Sequence, residues 1–133
     1  MPISRALIAT ALIALTAIAF AENEVQDVRN ALANTIDAIV TDCPAMSQHV
    51  QHNTLSDPPA CMRAMSSFNV TRLDVEYFVL LHNGVVWRLP WTEQGDAISR
   101  VMTTTGTGQH WLVVIVPVAR IEQLIIVLEF VPQ

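Results

Sequence analysis

Apolar and polar positions alternate from Leu73 to Leu81. Leu73, Val75, Tyr77, Val79 and Leu81 are apolar or aromatic, and the even positions begin with Arg72, Asp74 and Glu76. A period of two predicts a strand with one buried face. Asn83-Gly84 follows, a pair that tolerates positive φ, and the alternation resumes to Trp91, so Leu73–Trp91 is predicted as a β-hairpin. A three-residue loop, His82-Asn83-Gly84, pairs Leu81 with Val85, Val79 with Trp87, Tyr77 with Leu89 and Val75 with Trp91. Every apolar partner then shares one face, whereas a two-residue loop pairs Val79 with Arg88 and mixes the faces. Pro90 cannot donate to a ladder, which places the second strand at a sheet edge.

The other segments take their period from the same kind of reading. Val25, Val28, Leu32, Ile36, Ile39 and Val40 form one stripe of an amphipathic helix over 22–40, and Pro44 disfavours helix at Cys43. A short second helix is predicted after Pro59, with Cys61, Met65 and Phe68 on one face. A third is predicted after Asp96, burying Ala97, Ile98, Val101 and Met102 and stopping at Gly106. His110–Val118 is apolar on both faces, as a covered central strand would be. Gln123–Val131 fits a helix as well as a strand, and its β-branched content favours the strand.

The predicted fold is therefore α+β: a four-stranded antiparallel sheet of two hairpins packed against helices, in the order α-α-β-β-α-β-β. This order of elements resembles that of profilin-like and roadblock-like domains, as an analogy of element order only.

Composition changes the picture at the N-terminus. Arg5, the apolar run Ala6–Phe20 and the small-x-small triplet Ala19-Phe20-Ala21 read as a secretory signal peptide over 1–21. The run is shorter than the roughly 20 residues of a spanning helix; an uncleaved anchor is the alternative. Residues 22–133 are then one domain, secreted or periplasmic, with a disulfide-tied helical segment over 43–61 and no membrane span after cleavage. Twelve acids face six arginines after residue 21, and lysine is absent from the chain. That acidic balance argues against nucleic acid or anionic membrane as a partner. Cys43 and Cys61 are the only cysteines, and an even pair in an exported chain reads as a disulfide.

Candidate chemistry is sparse. His49 and His52 are three residues apart and would share a helix face, where they could hold a metal together with Asp42 or Asp57; this makes a metal-binding protein or small metal-dependent hydrolase the alternative function. His82 falls in the turn and His110 at a strand start. Gly106-Thr107-Gly108 lacks the flanking glycines and lysine of a phosphate loop, and Asn69-Val70-Thr71 matches a glycosylation sequon. No nucleophile motif is present, and the residues call for no cofactor. The segment Arg88–Glu93 is the predicted recognition edge, with Arg88, Trp91 and Glu93 as binding residues, because tryptophan and arginine are enriched at interface anchors. The expected function is an exported, non-enzymatic binding or protein-interaction module. Its partner would be an unknown protein or small-molecule ligand, and a homodimer through a sheet edge is a further option.

Overall fold

The first helix, α1 (Val25–Ile36), opens with a capping box: the Glu24 side chain accepts from the backbone of Asp27, and the Asp27 carboxylate accepts from the Glu24 N–H at 3.1 Å. It ends a turn earlier than Pro44 alone implied. Asp37 takes the left-handed conformation at φ 58°, which an aspartate tolerates, and this frees the next residues to pair as a strand. The computed structural model describes residues 24–44 and 58–130. The predicted signal peptide, and His49, His52 and Asp57, lie outside the described residues.

Six strands follow a different plan from the one predicted. They are β1 (Ile39–Thr41), β2 (Ala60–Ala64), β3 (Val85–Gln94), β4 (Ala97–Thr104), β5 (His110–Ala119) and β6 (Glu122–Phe130). All pair antiparallel in the order β1-β2-β6-β5-β4-β3. The second helix, α2 (Phe68–Leu81), carries the chain from β2 across to the far edge, where β3 begins. The class remains α+β, but the predicted four-stranded sheet and the order α-α-β-β-α-β-β are corrected to six strands in the order α-β-β-α-β-β-β-β.

Four misread segments account for the difference. The first is 39–41: Ile39 and Val40, predicted as the end of the first helix's apolar stripe, form strand β1 once Asp37 ends that helix. Residues 73–81 are helical because Ser67 caps the helix, its hydroxyl accepting from the Val70 N–H at 3.3 Å, and because Thr71, Val75 and Phe78 recur at helical spacing on the buried side. The segment after Asp96 is strand β4. Gly95, at φ 65°, turns with Asp96 to pair Gln94 with Ala97, and Thr103-Thr104 suits a pleated surface. The predicted short helix around Cys61 is β2, whose register between β1 and β6 satisfies its backbone on both sides. The disulfide between Cys43 and Cys61 is present, and it closes the β1–β2 connection instead of tying two helices.

Both helices lie on one face of the sheet. There Val28 and Leu32 of α1 and Val75 and Phe78 of α2 bury Met62, Met102, Trp111 and Ile125. The opposite face carries a second apolar cluster centred on Leu112, Val114, Ile126 and Leu128, into which the disulfide packs. Strands β5 and β6 are thus buried on both faces, which is why their sequences read as continuous apolar runs.

The two helices are also joined by a side-chain bond. The Thr35 hydroxyl donates to the Ala31 carbonyl at 2.8 Å, so its one hydrogen is used. His82 Nε2, 2.9 Å from the same oxygen, must therefore be the donor of that second bond. The His82 ring stacks on Phe78 at 4.3 Å between centroids, which holds it in place.

Candidate functional site

The edge strand β3 departs from regular pairing at the predicted recognition segment. Arg88 pairs with Val101 and Thr92 with Ser99, so four residues on β3 span what two span on β4. Leu89 absorbs the excess at φ 52°, a conformation that costs a branched side chain about 1–3 kcal/mol. Its side chain is thrown outward, 75% exposed. The bulge lets Trp87 and Trp91 approach on the helix side, with ring centroids 5.9 Å apart.

Polar contacts fix that arrangement. The Arg100 guanidinium lies 5.0 Å from the Trp87 ring and 6.0 Å from the Trp91 ring, and its Nε donates to the Leu89 carbonyl at 2.7 Å. From α2, Glu76 receives both indoles: its backbone carbonyl accepts from Trp87 Nε1 at 3.0 Å and its carboxylate from Trp91 Nε1 at 2.5 Å. The β3 rim is thereby bolted to α2. Replacing Glu76 by alanine should leave the half-buried Trp91 indole N–H unpartnered and cost about 1–2 kcal/mol in urea unfolding, with a red-shifted tryptophan emission. Glu76→Gln retains an acceptor and should recover most of the loss.

Of the three predicted binding residues, Trp91 and Glu93 share the helix side of the sheet and Arg88 faces the other way. Trp91 is half-buried against the main core and hydrogen-bonded to Glu76. Arg88 is exposed, and its register opposite Val101 puts it on the sheet face away from the helices. Glu93 is exposed and pairs with Ile98 on the helix side. Behind the bulge is a recess of about 310 Å³ lined by Leu89, Pro90, Val101 and Leu112 among others. A second, more polar recess of about 510 Å³ lies beside the disulfide, lined in part by Gln26, Arg29 and Asp42. Among the described residues no group of three or more histidine, cysteine or acidic side chains could hold a metal.

The feature that the sequence reading did not identify is the outward side of α2. Val70, Leu73, Tyr77, Leu80 and Leu81 are 47, 44, 57, 75 and 69% exposed. The first four follow one another at spacings of three, four and three, the seam spacing of a helix that packs along another helix. This stripe lies roughly 130° around the helix from the buried Thr71, Val75 and Phe78, at 100° per residue. Helix α1, in the same layer, shows the contrast: its outward residues Gln26, Asp27, Asn30 and Asn34 are all polar. The signal was present in the sequence as a segment apolar at too many positions for a one-sided helix.

No family model matches the chain, and comparison with curated proteins and with solved structures returned no match to either, so the surface is interpreted from its own chemistry.

Proposed function

We propose that the protein is an exported, non-enzymatic interaction module whose contact surface is the outward stripe of α2, with Trp91 at its margin. The observation that carries this reading is the exposure of five large apolar side chains on one helix face while the neighbouring helix presents only polar ones. The stripe amounts to apolar surface on the order of 500 Å², at the upper end of what a monomer exposes without a partner. The disulfide and the apolar leader support export, since disulfides persist in oxidising compartments. No helix among the described residues is long and apolar enough to cross a membrane.

A photo-crosslinking amino acid placed at Tyr77 in the producing cell should give a defined partner adduct. The same group at Asn34 on α1 should not. Leu80→Glu should abolish the Tyr77 adduct while changing stability by no more than about 0.5 kcal/mol, because the side chain is exposed. Equal crosslinking from both helices, or an adduct indifferent to Leu80→Glu, removes α2 as the contact surface.

A further inference from the structure

We infer that the partner of the α2 stripe is an amphipathic helix with basic residues flanking its apolar seam, and not a second copy of this chain. The inference rests on the reading of the stripe as a contact surface, and names what fits it.

The charges beside the stripe are the first ground. At 100° per residue, Asp74 lies next to one margin, beside Leu81 and Val70, and Glu76 lies next to the other, beside Leu80. Both side chains are partly exposed. Neither basic group nearby in the sequence lies within the seam. Arg72 lies further round from Glu76 toward the buried side, its Nε buried and without a hydrogen-bond partner. Arg100 is held over the tryptophan rings with its Nε on the Leu89 carbonyl. The stripe is therefore an apolar seam between two carboxylates, in a chain of net charge −5. A helix laid along it places its own flanking positions beside Asp74 and Glu76, as the e and g positions do beside a coiled-coil seam. Basic side chains there form ion pairs at both margins; acidic ones repel.

The second ground is what the same charges do in a self-pair. Self-association through this stripe would bring Asp74 and Glu76 of one copy toward those of the other. A heterologous partner with complementary charge adds attraction where a second copy adds repulsion. The apolar spacing of three, four and three along α2 is that of a surface on which an amphipathic helix lays its own apolar face.

The test uses two synthetic helical peptides of three heptads with leucine at a and d, one with arginine and one with glutamate at e and g. Each is titrated into the ¹⁵N-labelled protein and followed by amide shifts. The expected result is binding of the arginine peptide at least tenfold tighter than the glutamate peptide, with shifts centred on 70–81. That preference should weaken severalfold between 50 and 300 mM salt, on the scale of the Debye length. The double variant Asp74→Asn, Glu76→Gln should bring the two peptides to within about threefold while both still bind; it keeps the Trp91 acceptor and with it most of the stability. If both peptides bind the unaltered protein equally at α2, the charge inference is overturned and the contact surface stands. If neither moves the α2 amides, or Leu80→Glu leaves binding unchanged, both readings fall. A dimer in sedimentation that Leu80→Glu dissociates overturns the inference in favour of a second copy.

Discussion

Trp111→Ala is expected to destabilise the protein by about 3–5 kcal/mol, a large part of the stability of an ordinary domain of this size. Trp111 is fully buried on the helix face of β5, opposite Met102 on β4 and Glu129 on β6. Its Nε1 donates to the Thr104 hydroxyl at 2.8 Å, and Thr104 is itself buried. The alanine variant leaves a large cavity and strands a buried hydroxyl. Separate variants divide the two effects. Trp111→Phe keeps most of the packing and loses the donor; Thr104→Val keeps the ring and loses the acceptor. Each should cost about 1–3 kcal/mol, and the double variant less than their sum, because removing both partners leaves nothing unpaired. Urea unfolding of the four proteins closes the cycle. Strict additivity would mean that the bond contributes nothing beyond packing.

The second large effect lies at the other end of the sheet. Breaking the Cys43–Cys61 crosslink should lower stability by about 3 kcal/mol in the chain-entropy account, since the bridged residues are 18 apart in sequence. At a typical urea dependence, the unfolding midpoint would fall by about 1.5–2 M. Cys43→Ala isolates the crosslink, because the remaining Cys61 is fully buried and packs as a small apolar residue. Cys61→Ala removes that sulfur as well and should cost up to about 1 kcal/mol more. Reduction of the unaltered protein should reproduce the Cys43→Ala midpoint. A shift below 1 kcal/mol would show that pairing of β1 with β2 already holds the two ends together.

The segments that were legible share one property: a single physical constraint dominates them. Strands β5 and β6 are sandwiched between two apolar clusters, so Trp111–Val116 and Leu124–Leu128 are apolar on both faces and short enough to be strands. Helix α1 has one buried and one polar side, so its period is legible over Val25–Ile36, although the apolar stripe read on into Ile39 and Val40 of β1. The cysteine pair needed only parity and the reading of the leader as an export signal. The illegible segments satisfy two periods at once. Leu73, Tyr77 and Leu81 face outward from α2, whereas Val75 and Val79 face inward, yet all five alternate as a strand's buried face would. The apolar stripe that makes α2 a candidate contact surface is what disguised it as a strand. Conflict between local pattern and fold is expected where a sequence serves a partner as well as its own core. At β4 the ambiguity had another source: Ala97, Ile98, Val101 and Met102 fit a helical stripe, but in the sheet Ala97 and Ile98 are buried on opposite faces, which only a strand covered on both sides allows.

By itself the sequence determined the α+β class, the helix α1, three of the six strands, the disulfide and the acidic character, because each follows from local periodicity or composition. The tertiary structure decided that 39–41 leaves the helical stripe to form β1, and which of two admissible periods won at 60–64, 68–81 and 97–104, and therefore the strand number and order. It also decided the bulge at Leu89, the inward turn of Trp91 onto Glu76, and the exposure of the α2 stripe. These depend on which face of an element meets the rest of the chain. That is a property of non-local packing, and a single apolar side chain carries no mark of whether it will be covered by its own fold or left for another molecule.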